Sequence, residues 1–574
     1  AAFAVEGGSV VVTAVDPGSP AWEAGLSKGD RIDRLGVHGE YVYDRREGST
    51  AVGTQEAAAA ALAHPRSGVE LVFWWKPGGR GDYRISPTRL KQRPLWKWFP
   101  AFDDQGQPTD SVLWMWHGSY YMTRSANGDR FVGWHVNHRD VVGTPRFYTL
   151  ERYKHLFFRD DVIAKLIATR SVAEALKLAE GGDPRKKTFS EVEPDPVVLS
   201  VKQAEVPHEG VGVTVAVNPS GNNPDLLPER VELWVNDYRH RVWQTAGNAR
   251  FRQELTIPAA VFRAGDNQIT VLAVNPVRGR AEAEARVHNP AALDAPALHG
   301  LMSGIDDYSA HRRSVGGERG AFADLSRAGA DVKALRDGLL KYTGKDRQFP
   351  AGNVTVLVNA DATRQGLTAA LANLRAARVK PNDLLVVFFA GHGDLLDSKG
   401  KPLPPAPEGL AARGWPGESG RFVFCCPDYT PANASTTALA GDELFDALAD
   451  INCRKLVLLD ACHSGGAAEA NLLRKLTPNG QGPVVIAACA QSEQSYEDDA
   501  LGHGAFTFAV LEALGTKFRV ADRDSDGAVS TSELYTYLAS RVPELVREAK
   551  PGKTQNPICF PHPSALPKVA LVMR

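Results

Sequence analysis

The stretch RKLVLLDACHSGG (454–466) climbs through an apolar run and ends on Asp460-Ala461-Cys462-His463-Ser464-Gly465. A cysteine at the end of a buried strand, followed by small and polar residues, sits where a chain leaves its sheet. Seventy positions before Cys462, DLLVVFFAGHGD (383–394) ends the same way on His392. The two strand ends are expected to form one site.

The surrounding pattern sets their context. From about residue 296, LHGLMSGI, NVTVLVN, DLLVVFFA, RKLVLLDA and PVVIAAC alternate with the helical stretches ADVKALRDGLLKY and TRQGLTAALANLRAAR. Near-continuous apolar strands separated by amphipathic helices predict a parallel sheet covered on both faces. Sites in such sheets lie just beyond the carboxyl ends of the strands.

The residue types suit acyl transfer. A thiol is a modest nucleophile until it ionises, and a neighbouring imidazole can accept its proton. Gly391 and Gly393 flank the histidine; Ala461, Ser464 and Gly465 flank the cysteine. Glycines let backbone N–H groups approach a carbonyl oxygen that becomes an oxyanion. His463 is a rival base by adjacency, but neighbours on a turn rarely face the same way. The other cysteines (Cys425, Cys426, Cys453, Cys489 and Cys559) read as buried structural thiols. No CxxC pair suggests zinc, and the clustering of all six at or beyond position 425 does not suit a disulfide framework.

GHG paired with DACHSGG resembles the caspase-like cysteine peptidases, and DxCHSG is the form found in metacaspases and bacterial caspases. The resemblance spans roughly 297–560. It implies an α/β caspase-like domain, His392 as base, Cys462 as nucleophile, and the backbone N–H groups of Gly393 and Cys462 as oxyanion donors. The spacing of 70 residues exceeds the roughly 50 of caspases, and a Pro/Gly-rich loop at 397–420 accounts for the excess. Animal caspases carry QACRG and lack the acid that stands here at Asp460. In the metacaspase branch that acid, with another in the first helix, lines the S1 pocket. Here Asp460 and Asp331 match, so cleavage is expected after Arg, then Lys, since carboxylates favour a guanidinium. Ser492, with Gln494, Tyr496, Glu497 and Asp498, is expected in the pocket wall. Arg474-Lys475 is a candidate self-cleavage point.

The chemistry requires no cofactor, but calcium is a candidate ligand. ADRDSDGAVSTSELYTYL (521–538) fits a calcium-loop template, with Asp522, Asp524, Asp526, the Ala528 carbonyl, Ser530 and Glu533 at the ligand positions. The bland reading is a capped helix start with acids near its dipole. Metacaspases hold a separate calcium site. Asp428, Asp442 and Glu469 match three of its acids, while Gly441 replaces a fourth.

The remaining segments read as accessory modules. SPAWEAGLSKGDRI (19–32) resembles PDZ domains of the bacterial protease type, which implies a PDZ-like α+β domain over 1–92. Residues 93–180 form a Trp-rich linker domain; seven of the eleven tryptophans lie between Trp74 and Trp134. Asn127-Gly128 suggests a hairpin, and 160–180 a helix. About seven short strands over 191–290 suggest an immunoglobulin-like sandwich. The caspase-like domain takes 296–574.

Composition is that of an ordinary multidomain globular chain, 574 residues with 43% hydrophobic content. A formal net charge of −1 offers no field for nucleic acid, and no apolar run is long enough to span a bilayer. Ala1 is read as the start of a trimmed chain, and a bacterial cytoplasmic setting is expected. The expected function is a bacterial cysteine endopeptidase acting on protein substrates with basic P1 residues, in stress, defence or cell-death proteolysis. The modules would offer peptide or protein docking. The rival readings are a scaffold that retains the fold without activity and a calcium-sensing adaptor.

Overall fold

The computed structural model describes most of the chain. Outside the description lie residues 1, 8, 16–19, 24, 38–39, 45–54, 57, 59–69, 77–83, 90–94, 103–107, 116–119, 124–127, 137–145 and 180–196. So do 218–226, 246–250, 276–279, 292–294, 315–321, 378, 397–420, 463–482, 491–492, 562–565, 567–568 and 574. The chain divides into two units, Ala1–Phe189 and Ser190–Arg574.

The first unit opens on an antiparallel sheet in the order Ala2–Glu6, Ser9–Ala14, Arg31–Val37, Glu70–Lys76, Arg84–Arg89. Val10, Val12, Leu26, Ile32 and Leu35 form its core. Arg84–Arg89 pairs with Glu70–Lys76 at one edge of the sheet. The Asn127-Gly128 hairpin is corrected. Gly128–Arg130 is a 3-10 turn, and Gly133–Val136 pairs with Arg146–Thr149 instead. Two of the tryptophans pack in an aromatic cluster: Trp134 stands edge-on to Trp114 at 5.6 Å and to Tyr153 at 5.7 Å, whereas Trp98 is exposed. The helix expected at 160–180 is two, Asp160–Thr169 and Val172–Leu178. Arg170 adopts a left-handed φ of 54° and ends the first, and the Ser171 hydroxyl caps the second.

The second unit begins with two antiparallel sheets packed on a shared core. Val197–Val201, Val211–Val217 and Phe251–Ile257 form one; Arg230–Val235, Tyr238–Gln244, Gly265–Val274 and Arg280–Asn289 form the other. Their inward residues, among them Val213, Val231, Leu233 and Val271, alternate with outward ones and meet in one cluster.

The α/β part follows. We number its central strands β1 Leu298–Gly304, β2 Gly352–Val358, β3 Leu384–Gly391, β4 Arg454–Ala461, β5 Val484–Ala487 and β6 Ile558–Phe560. The main helices are α1 Ala328–Leu340, α2 Arg364–Ala376, α3 Gly441–Ala449, α4 Ala505–Leu514 and α5 Thr531–Ala549. The sheet runs β2-β1-β3-β4-β5-β6, parallel except for β6. All eight residues of β3 are buried. Leu385, Val387 and Phe389 face one core cluster with α2 and α3. Leu384, Val386, Phe388 and Ala390 face the other with α1, α4 and α5. The period of two, with helices on both faces, is why the strand reads as an unbroken apolar run.

The sandwich is fastened to the α/β part by charge. Lys455 Nζ, fully buried, donates to Asp237 at 3.0 Å, and the Arg263 guanidinium pairs with the same carboxylate. Arg263 also donates to the Cys453 carbonyl at 2.9 Å. Burial alone would raise the Asp237 pKa; Arg263 and Lys455 together bring it below the usual value. Arg239 adds pairs with Asp446 at 2.5 Å and Asp450 at 2.8 Å.

Candidate active site

The site forms at the carboxyl ends of β3 and β4. Gly391 and Ala461 are register partners, so His392 and Cys462 leave adjacent strands side by side. Gly393 makes the close approach: a Cβ there would lie 2.4 Å from the Cys462 carbonyl oxygen. The two residues the sequence paired are brought together, and both line one pocket of about 80 Å³. That volume holds several waters, or one side-chain head and its stem.

His392 is held on three sides. Its backbone N–H donates to the Tyr308 hydroxyl at 2.8 Å, which itself donates to the Cys425 carbonyl at 3.1 Å. Phe322 stacks on the ring at 4.5 Å. The Ala323 carbonyl lies 2.8 Å from Nε2. A carbonyl can only accept, so Nε2 carries the proton and Nδ1 is left as the basic nitrogen. Burial lowers the imidazole pKa and outweighs the opposing pull of the Ala323 carbonyl.

Cys462 is the one cysteine of the six that is not buried at residue level. Its sulfur lies 4.0 Å from the Ser495 carbonyl. Burial of the thiol itself pushes its pKa up. Burial therefore favours the neutral form of both groups.

Asp460 and Asp331 line the same pocket. Asp460 shares parity with Leu456 and Leu458 on β4, so its side chain points toward α1 and α4. It accepts from Ser495 Oγ and from Thr507 Oγ1, both at 2.6 Å. Asp331 on α1 is buried, accepts from the Gly504 N–H at 3.0 Å, and meets His503 Nδ1 at 2.5 Å. A Cβ on Gly504 would lie 2.9 Å from an Asp460 oxygen and 3.3 Å from an Asp331 oxygen, so any side chain there would press on both carboxylates. Burial first, then the Asp460 charge, push the Asp331 carboxyl up to about 8. Burial also lowers His503, which favours a neutral acid–imidazole pair. Glu497 is a third acid in the pocket. It accepts from the Ser326 and Arg327 N–H groups at 3.0 and 3.1 Å, before α1.

Of the other expected wall residues, Ser492 lies outside the described residues. Gln494 is exposed, Tyr496 packs against the core, and Asp498 pairs with Lys550 at 3.8 Å. Arg474, Lys475 and the rival base His463 also fall outside the description. Sequence reasoning missed Ser495, Thr507, His503, Tyr308 and Ala323. Ser495 lies among the expected wall residues; Ala323 acts through a backbone carbonyl that no side-chain motif marks.

The acids of the second calcium constellation are only partly described. Among the described residues, Asp428 and Asp442 join no metal-capable group, and Glu469 is outside the description. The Arg421 guanidinium donates to Asp442 at 2.6 Å. The one such group among described residues is Asp522, Asp524 and Glu533.

The mostly parallel sheet thus carries a thiol and an imidazole on adjacent strand ends. Residues 304–565 match the family model of the caspase domain, Peptidase_C14, and this chain therefore carries the caspase domain of a cysteine peptidase, whose substrates are proteins. No curated protein matches the chain. Among solved structures, a polysaccharide deacetylase from Bacillus cereus is 12% identical, covering 49% of this chain and 78% of its own, with a TM-score of 0.12. A candidate polysaccharide deacetylase from Bacillus anthracis is 11% identical over 54% and 84%, with a TM-score of 0.14. Likenesses that weak carry no argument. Among the described residues, no helix is long and apolar enough to cross a membrane.

Proposed function

We propose that the protein is an endopeptidase that cuts after Arg, then Lys, with Cys462 as nucleophile and His392 as base. The observation that carries this reading is the shared level of the two strand ends above a pocket holding Asp331, Asp460 and Glu497. As a P1 carbonyl settles over the sulfur, Nδ1 of His392 takes the thiol proton and the thiolate attacks the carbonyl carbon. The backbone N–H groups of Gly393 and Cys462 receive the oxyanion. Collapse expels the amine, protonated by His392, and leaves a thioester on Cys462. Water activated by the same imidazole then releases the acid.

The pocket acids would hold the P1 guanidinium, and its arrival would drive a proton from Asp331 by direct charge attraction. An Asp side chain would meet like charge. We assign the 1–92 and 191–290 modules to recruitment or restraint of the peptidase, in regulated bacterial proteolysis. The test is covalent: a peptidyl-arginine acyloxymethyl ketone should add one equivalent to the full chain, with mass spectrometry placing it on Cys462. Labelling of another cysteine, or equal labelling by the aspartyl reagent, would overturn the reading.

A further inference from the structure

The loop 522–533 carries a feature that the peptidase site does not use. Asp522 is 9% exposed; its Oδ2 accepts the Gly527 N–H at 3.1 Å, while its Oδ1 is buried with no donor. A buried carboxylate oxygen without a donor bears its desolvation cost uncompensated. Ligand oxygens of Asp522, Asp524 and Glu533 lie within 4.8 Å of one another. Such a gathering of like charge around an unsatisfied oxygen fits a cation between them.

The rest of the loop is already shaped. Ser525 and Gly527 take positive φ values of 59° and 85°, which turn the chain around the acids. The Glu533 carboxylate accepts the Arg523 and Asp524 N–H groups on one oxygen, at 2.8 and 3.3 Å, and Ser530 on the other. It thus reaches back across the whole loop from the first turn of α5. Calcium loops usually pair with a second loop through a short strand. Here Ala528–Ser530 pairs instead with Ala570–Met573 near the end of the chain, and Val529 and Val572 are buried in the α4–α5 core. The preorganisation a partner loop would supply is therefore built into the domain.

We infer that the 522–533 loop binds a calcium-class divalent cation through Asp522 and Asp524, closed by Glu533, as a clasp on the start of α5. The donors are all oxygens, which suits a hard cation and not zinc. Asp526, the Ala528 carbonyl and Ser530 stand at the template's remaining ligand positions. This inference does not depend on the peptidase reading.

The full chain, stripped with chelator, is titrated with CaCl2 at fixed ionic strength by calorimetry and by thermal melting. At a hundredfold excess over Kd, the folded-to-unfolded ratio should rise about a hundredfold, with a higher Tm. Asp524→Asn should abolish both the heat and the shift, and Asp522→Asn should do the same if it folds. Absence of heat and of a Tm shift in the wild type overturns the site. So does full retention of both in Asp524→Asn, which would put the cation elsewhere. An equal response to MgCl2 overturns the calcium assignment.

Discussion

Gly391 and Ala461 face each other across the parallel pair β3–β4, so His392 and Cys462 rise from the sheet at one level. Parallel neighbours lie about 4.8 Å apart, which places the following side chains within reach without any long-range rearrangement. Tyr308, Phe322 and Ala323 then orient the ring, and Gly393 admits the Cys462 main chain.

Gly393→Ala tests that close approach. The added methyl would meet a backbone carbonyl, which cannot swing aside as a side chain can. Displacement near 1 Å should lower kcat about 100-fold. Single-turnover kinetics should show the loss, with Tm much less affected because the position is a strand end.

The pH dependence follows from Asp331, with its pKa pushed up to about 8. As pH rises through that value the acid ionises, so KM for Arg peptides should fall, and Asp331→Asn should flatten the profile. The linked stability runs the other way. The folded state keeps a proton that the unfolded chain releases near ~4, so this group's contribution to stability falls between ~4 and about 8. Urea melts of wild type and Asp331→Asn across that range read the difference.

His392 sets the acid limb. Its lowered pKa keeps the imidazole neutral below the ordinary histidine value. kcat/KM corrected for the Asp331 effect should therefore hold to a lower pH than about 6.5 before it falls. A limb above that value would contradict the dominance of burial over the opposing pull of the Ala323 carbonyl and Asp324.

Much of this was legible in the chain because its signals are local. Unbroken apolar strands ending in small residues located His392 and Cys462, and strand parity explains why Asp460 meets Asp331. The supporting groups were not legible, for two reasons. The Ala323 carbonyl is a backbone acceptor that any residue could supply. Ser495, Thr507 and His503 act through distances that only the packing of α4 and the 493–504 segment creates. The helix break at Arg170 was hidden because no glycine or proline marks it.

Asp237→Ala tests the joint between sandwich and peptidase domain. It would leave the buried Lys455 ammonium and the Arg263 guanidinium without their carboxylate. Removal of one partner from a buried pair costs about 3–5 kcal/mol. A large drop in the urea midpoint is expected, while Asp266→Ala, at a highly exposed position, should change little.

Initial rates on matched fluorogenic peptides ending in Arg, Lys or Asp, for wild type and Cys462→Ala, bear most directly on the whole account. Turnover after Arg exceeding that after Lys, near-zero turnover after Asp, and silence in the alanine variant are the predicted result. Hydrolysis that survives loss of the sulfur, or equal rates after Arg and Asp, would contradict it.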